Sequence, residues 1–321
     1  MPKINTINDF SAAVHTALSA AFSDHRIEAV NVTKNNGVHL TGLTIYPKNK
    51  KVAPTIYLEP YFTALQSGQP LTTVINQIIN SCMNALSCSE NDIDVGNITD
   101  FAYVKDKVCY KLVNTGMNSE LLSTVPHRDY LDLAIVYYIP LSLTDNGLAT
   151  LNITDGLAHI WGTDEETLYK LACSNTPVLN RGCITPMLDI MGSIMSDMLC
   201  GIMKIHQTHK RETRSYKGFD FTYTDSGSFP MCIATNQNKT YGASILLYDG
   251  FLETAAEKFG SFYILPSSIH ELIIVPAKFG DASDLKQMVN EINGTEVPAE
   301  EVLSGSCYCY DTETHELKIA A

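Results

Sequence analysis

Apolar residues at Phe10, Val14, Ala17, Leu18, Ala21 and Phe22 recur at the spacing of one helix face, so the chain opens with an amphipathic helix over Asp9–Phe22, capped by Asn8. The β-rich runs 27–33 and 38–46 flank Asn35-Asn36-Gly37, whose residues tolerate positive φ, and the pair is expected to form a hairpin. A short extended run at 55–58 leads to a helical turn around Tyr61 and Phe62 that Gly68 ends. Pro70 opens a second long helix, with Leu71, Val74, Ile75, Ile78, Ile79, Cys82 and Leu86 on one stripe. The pattern then turns extended over 107–113 and helical over 114–122. From Leu131 to Leu141 the apolar run is nearly continuous, as in a strand covered on both faces, and its expected partner across Asp145-Asn146-Gly147 is 148–154. Thr163-Asp164-Glu165-Glu166 reads as a Thr-x-x-Glu capping box for a helix carrying Leu168, Leu171 and Ala172.

Residues 184–205 read as one helix carrying Met187, Met191, Met195, Met198 and Met203, and 206–227 as a polar, mobile segment rich in His, Lys and Arg. Strands are expected at 231–235, 243–248, 262–265, 271–276 and 306–310, and helices at 251–259, 284–292 and 298–303. A hairpin is followed by a helix three times, at 27–66, 131–172 and 231–259. The expected class is therefore α+β, mainly antiparallel, with hairpin-then-helix units around one core. The chain reads as a single compact unit, 1–321. Within it lie an N-terminal part (1–90), sheet parts at 91–183 and 228–321, and a helical and mobile insertion at 184–227.

Composition narrows the classes. The chain has 321 residues, of which 45% are hydrophobic and 18% charged, which excludes a disordered or fibrous chain. About three-quarters of the surface of a chain this long can be buried, so no staples are needed. A formal charge of −13 makes nucleic acid an unlikely partner, because phosphate binding needs an uncompensated basic surface. No apolar run reaches the ~18 residues of a membrane span, so no membrane partner is expected. Nine cysteines, most of them inside apolar stretches, read as reduced thiols of a cytoplasmic protein. In that setting the Asn-x-Thr triplets at Asn97, Asn152, Asn238 and Asn293 carry no glycan.

Several strings are distinctive. They are Lys111-Leu112-Val113-Asn114 with Asn118, Val125-Pro126-His127-Arg128-Asp129-Tyr130-Leu131-Asp132-Leu133, Ser174-Asn175-Thr176, Tyr241-Gly242-Ala243, Leu265-Pro266-Ser267-Ser268-Ile269-His270-Glu271 and Glu301-Val302-Leu303-Ser304. Together they resemble a bacterial domain-of-unknown-function family of gut anaerobes, often found near mobile elements, over nearly the whole chain. The Leu-Pro-Ser-Ser-Ile-His-Glu string is the most specific part. The resemblance implies one folding unit and brings no established activity. More weakly, the order of elements is similar to a second bacterial family of cytosolic proteins, with Trp161 before a helix.

Candidate chemistry lies at two strand mouths. His127 and Asp129 share one face of an extended segment while Asp132 points the other way, so a metal held there would need a third ligand such as His270 or Glu271. The competing use of such residues is to satisfy main-chain groups. Ser267 and Ser268 with His270 and Glu271 suggest acyl transfer, but residues two or three apart on a turning chain seldom meet head to head, and no Gly-x-Ser-x-Gly elbow occurs. Cys307-Tyr308-Cys309 lacks the second cysteine pair of a zinc site, and the phosphate-loop motifs are missing, so no cofactor is expected.

The sequence thus favours a cytoplasmic, non-catalytic binding or regulatory protein that meets a protein partner or small ligand through 184–227 and the exposed ends of the sheet. The alternative is a hydrolase-like, metal-assisted enzyme using His127 and Asp129 with His270 and Glu271, with Ser268 as a further candidate.

Overall fold

A computed structural model describes residues 4–48, 53–87, 97–144, 147–190, 211–224 and 231–321. Its contacts gather into two compact units, Met1–Gly96 and Asn97–Ala321, where the sequence reading has one. The first unit has an apolar core of its own, which is why it separates.

In that unit, α1 (Ile7–Ala21) starts where Thr6 Oγ1 accepts from the Asp9 amide and the Asp9 carboxylate accepts from the Thr6 amide, each at 3.1 Å. This reciprocal pair is a capping box. It moves the cap from the expected Asn8 to Thr6, because only Thr6 has an acidic residue three positions on. Next, β1 (Arg26–Thr33) and β2 (His39–Tyr46) form the expected hairpin, turning through Asn36 and Gly37 at φ 60° and 66°. β3 (Thr55–Tyr57) adds to β2, followed by α2 (Glu59–Gln66) and α3 (Leu71–Ser87). Phe10, Val14 and Leu18 of α1 meet Leu43 and Ile45 of β2 and Val74, Ile78 and Cys82 of α3 in one core. Each large aliphatic or aromatic side chain buried there contributes roughly 1.5–3 kcal/mol.

The second unit holds two sheets. The four-stranded one places β6 (Leu133–Thr144) between β4 (Cys109–Asn114) and β5 (His127–Tyr130), with β7 (Gly147–Asn152) also paired to β6. As the continuous apolar run implies, β6 is buried on both faces. Leu133, Ile135, Tyr137 and Ile139 enter the main core, while Ala134 and Val136 pack with Val113, Leu122 and Val125. The eight-stranded sheet has the order β15-β14-β12-β13-β11-β8-β10-β9. Its strands are β8 (Gly182–Pro186), β9 (Arg211–Ser215), β10 (Phe219–Thr224), β11 (Cys232–Asn236), β12 (Phe262–Leu265), β13 (Leu272–Pro276), β14 (Tyr308–Asp311) and β15 (Glu316–Ile319). One face supplies Ile184, Phe219, Ala234, Ile264, Ile274 and Tyr308 to the main core, and Leu265 and Val275 on the other pack with Val289 of the helix Ala282–Thr295. The class is α+β, with antiparallel pairing everywhere among the described strands except β8–β10. Among the described residues no helix is long and apolar enough to cross a membrane.

Several expected elements are corrected. Residues 184–186 belong to β8, a strand inside the large sheet, and the helical residues begin at Met187. Residues 211–224 form the β9–β10 hairpin, because Phe219 and Phe221 alternate into the core and Gly218 turns the chain at φ 91°. Met191, Met195, Met198 and Met203 lie outside the described residues. The apolar run 243–248 is a 3-10 helix, Gly242–Leu247; a short apolar run buried on all sides has no period to separate strand from helix. Residues 298–303 form turns with a single bridge, Ser268 to Val302. The cap of helix Glu165–Leu179 is Asp164, whose side chain accepts from the Thr167 amide, rather than Thr163. The helix Asp155–Trp161 and strand β15 have no counterpart in the sequence reading.

Candidate functional site

The distinctive strings meet one another in the second unit. The Leu265–Glu271 segment joins β12 to β13 and is fastened along its length. The amides of Ser304 and Leu303 donate to the carbonyls of Pro266 and Ser267 at 2.8 and 3.0 Å, and the Ile269 amide donates to the Glu301 carbonyl at 2.8 Å. The Ala243 amide donates to the Ile269 carbonyl, and Thr235 Oγ1 to the His270 carbonyl at 2.7 Å. Asn114 Nδ2 donates to the Leu303 carbonyl at 2.9 Å, and Asp132 accepts from Ser304 Oγ at 2.6 Å, Ser306 Oγ at 3.0 Å and the Tyr308 hydroxyl. Asn175 Nδ2 donates to the carbonyls of Lys105 and Val108. Asn, Ser and Thr side chains recur here because each can close a loop end whose backbone groups lack a ladder partner.

Within this network Tyr241 stands in the left-handed region at φ 54°, two residues after Lys239 at φ 51°. Backbone conformations of this kind cost about 1–3 kcal/mol in a non-glycine residue and persist where the surroundings over-determine them. Here the Tyr241 amide donates to His270 Nδ1 at 3.2 Å, and the two rings stack 13° from parallel with centroids 6.1 Å apart. Because Nδ1 accepts, the proton of a neutral His270 is on Nε2, which faces Glu301 Oε1 at 3.7 Å. On the other flank the Tyr138 ring meets the Tyr241 ring at 5.3 Å and 62°.

Lys111 completes the cluster. Lys111 lies in the middle of β4 on the face it shares with Cys109 and Val113, and it is only 8% exposed. Its ammonium sits 4.5 Å from the Tyr241 ring centre and 5.9 Å from that of Tyr138. Those ring faces are its contacts; it forms no ion pair and no hydrogen bond to a described side chain. The Tyr138 hydroxyl accepts from Asn180 Nδ2 at 2.9 Å, and Asn180 Oδ1 accepts from Asn238 Nδ2 at 3.0 Å. Burial pushes the Tyr138 phenol well above the ordinary tyrosine range, so it stays protonated.

The candidates named from sequence fall in different surroundings. His127 and Asp129 do share a face of β5, in the same rows as Val136 and Ala134 of β6, and both are exposed. Lys111 also pairs with Val136, so Lys111, Val136 and His127 form one row across the sheet. His127 Nδ1 lies 3.0 Å from the Val125 carbonyl, at an open groove of about 490 Å³ also lined by Asp155, His159, Asp164 and Glu165. Between them, on the opposite face, Arg128 donates to Glu165 through Nε and a terminal nitrogen at 3.1 and 2.8 Å. Ser268 Oγ accepts from the His270 backbone amide at 3.0 Å instead of meeting the imidazole, and Glu271 is exposed. No hydrogen bond or ion pair among the described residues joins His127 or Asp129 to His270 or Glu271, and no group of three or more His, Cys, Asp or Glu side chains is placed there to hold a metal ion. Burial pushes the thiols of Cys109, Cys232 and Cys307 up to about 12, away from the thiolate form a nucleophile needs.

The sequence reading quoted Lys111 and Tyr241 within distinctive strings but named none of Lys111, Tyr138, Asn180 and Tyr241 as a site residue. One signal was present: a lysine between apolar neighbours on the inward face of a strand, where charge is normally avoided.

No curated protein and no solved structure matches the chain. A family of unknown function, DUF5688, matches residues 7–312, and the chain belongs to that family.

Proposed function

We propose that this member of DUF5688 is a non-catalytic binding protein whose ligand is taken at the cluster of Lys111, Tyr138, Tyr241 and His270. The observation that carries the reading is Lys111, about nine-tenths buried, whose ammonium faces two aromatic rings and has no acidic partner among the described residues. A mostly buried charge without a counter-charge is costly, so a fold that keeps one is served by a ligand that completes it. The left-handed Tyr241 supports the same reading, because stored backbone strain gathers where a side chain must be aimed. Ser268 and His270 serve as fasteners: the serine hydroxyl holds the histidine amide and the imidazole holds the Tyr241 amide. A protein partner meeting 184–227 remains part of the proposal, with the β9–β10 hairpin among the described residues of that segment. Seven free cysteines among the described residues support a reducing, cytoplasmic setting.

The test is a thermal-shift screen of the full chain against small anions, neutral compounds and cations, run beside Lys111→Met, with nitrophenyl ester hydrolysis measured in parallel. A class that raises the melting temperature of the wild type and not of Lys111→Met supports the proposal. Ester turnover that disappears in His270→Ala, or the absence of any Lys111-dependent shift, refutes it.

A further inference from the structure

The three-stranded sheet of the first unit has an open edge. Thr41 and Ile45 of β2 use their main-chain groups on the β3 side: the Thr41 carbonyl accepts from the Leu58 amide, and the Ile45 amide donates to the Pro54 carbonyl, each at 2.9 Å. Asn31 and Ile27, which face them across the hairpin, therefore turn their own N–H and C=O groups outward, as do Ala29 and Thr33 by the alternation of an antiparallel ladder. The Ile27 end is closed, because Nε2 of His15 on α1 lies 3.2 Å from the Ile27 carbonyl oxygen. Beyond it Ala29, Asn31 and Thr33 are exposed, and their outward main-chain groups have no partner among the described residues.

This stretch lacks the devices that keep edge strands from pairing further. Ala29-Val30-Asn31-Val32-Thr33 has no charge and no proline, and it pairs with β2 without a bulge. The other edge of this sheet and both edges of the eight-stranded sheet are protected: β3 is three residues long, β9 holds Arg211, Glu212 and Arg214, and β15 holds Glu316 and Lys318. We infer that the β1 edge is a contact between two copies of this chain, in which the two β1 strands lie antiparallel about a two-fold axis at Asn31 and join their sheets into one.

Register is what selects a second copy. With the axis at Asn31, Asn31 pairs with Asn31 of the second copy and Ala29 with Thr33 in both directions, so every open main-chain group finds a partner. On the face opposite Ile27 and the core, the same register sets Val30 against Val32 and Glu28 against Lys34, each twice. β-branched pairs and opposite charges are the favourable cross-strand combinations. Moving the axis to Val30 would set Arg26 against Lys34 and call on the Ile27 carbonyl that His15 holds. Moving it to Val32 would set Val30 against Lys34.

The charges have work within one copy as well. Glu28 lies 3.3 Å from Arg26, and the Lys34 ammonium lies 4.2 Å from the Tyr57 ring centre. Both are flexible side chains, and exposed charge pairs contribute little, so the main chain and the valines carry the contact while the charges set its register. A contact one strand wide is smaller than the ~1,200–2,000 Å² of stable interfaces, so the dimer should dissociate on dilution.

The experiment is sedimentation velocity of the full chain over roughly 1–300 µM, the range in which contacts of this size associate. A reversible monomer–dimer equilibrium is expected. Asn31→Pro removes an edge amide that bonds to nothing within one copy, so it should leave a monomer whose circular dichroism is that of the wild type. Should it fail to fold, Val32→Lys puts a charge on the edge and should also leave a monomer. Glu28→Lys and Lys34→Glu should each weaken association roughly 3-fold or more by opposing like charges, and the double variant should restore it. A monomer throughout the range, or a dimer that persists in whichever edge variant folds, overturns the inference. Association blind to the charge reversals overturns the register at Asn31. Hydrogen exchange over residues 28–34 separates the occupants of the edge. Protection that rises with the fraction of dimer supports a second copy. Protection already complete in the dilute monomer shows the edge covered by the chain itself and overturns the inference.

Discussion

Gly242 sits where the strained turn passes under the β12–β13 connection, and alanine there gives the sharpest test of the packing described above. A Cβ on residue 242 would lie 2.2 Å from Thr235 Oγ1, 2.3 Å from the His270 carbonyl oxygen and 2.8 Å from the Asn236 amide nitrogen. Two of these are backbone atoms that cannot rotate away. The added methyl also intrudes on the 2.7 Å hydrogen bond from Thr235 Oγ1 to that carbonyl. Forcing one carbon into a packed site costs about 1–3 kcal/mol, and separating a buried hydroxyl from its acceptor costs a similar amount. The gain from a less flexible unfolded chain offsets about 0.4–1 kcal/mol of this. The expected loss for Gly242→Ala is therefore roughly 3 kcal/mol. At roughly 2–4 °C per kcal/mol for a unit of this size, it corresponds to a melting temperature about 6–12 °C lower. Urea unfolding followed by tryptophan fluorescence measures it, because the sole tryptophan, Trp161, is buried in the second unit and donates to the Ile98 carbonyl. Gly294→Ala is the control: it lies in the helix Ala282–Thr295 with nothing within 4 Å of its added carbon, so it should stabilise by up to about 1 kcal/mol. A Gly242→Ala midpoint within about 0.5 kcal/mol of the wild type would refute the reasoning.

Other outcomes follow from the same contacts. Asp132→Ala strands the hydroxyls of Ser304, Ser306 and Tyr308 and should cost about 3 kcal/mol in the same urea assay; a neutral result would show that the turn holds without it. The Arg181 guanidinium, which donates to both carboxylate oxygens of Asp220 at 2.9 and 2.7 Å, holds that carboxyl below its ordinary range. The stability it contributes is present above about pH 4, the unfolded aspartate range, and is lost as pH falls through the lower folded value. Asp220→Asn should flatten this acid limb, and an unchanged limb would assign the acid sensitivity elsewhere. Burial raises the folded Cys109 and Cys232 thiols to about 12, so their contribution is complete below the unfolded thiol value near 8.5 and is lost as pH rises from there toward 12. Native protein at pH 8 should leave both unlabelled by iodoacetamide while urea-unfolded protein labels fully; rapid native labelling at either would contradict their burial.

Much of the local structure was legible because it depends on contrast along one element. The stripe of α1, the Asn-Gly turn between β1 and β2, the stripe of α3 and the twice-buried β6 were all readable, since each tests only whether successive side chains alternate between apolar and polar surroundings. Periodicity failed where successive side chains are all buried, as over Ala243–Leu246 of the 3-10 helix Gly242–Leu247, or where a strand such as β8 is recognised by partners on either side rather than by its own pattern. The site followed the same division. The strings around His127 and Ser268–Glu271 stood out as polar residues at strand mouths; His127 and Ser268 have partners two residues away, whereas those of Arg128, Asp132 and the His270 ring come from distant parts of the chain.

Sequence alone determined that this acidic chain, apolar enough to bury a large core, folds as α+β with mainly antiparallel sheets. Tertiary structure decided which polar residues are spent on holding loops and which charge is left without a partner. Asp132 meets Ser304 across 172 positions, and Lys111 finds its aromatic cradle in Tyr138 and Tyr241 only after β4 pairs with β6 and the turn at 239–241 folds in. The reason is physical: a side chain's charge, donor or hydroxyl has the same identity everywhere, but its energetic meaning is set by the water removed from it and the groups brought to it, and both are fixed by contacts between residues remote in sequence.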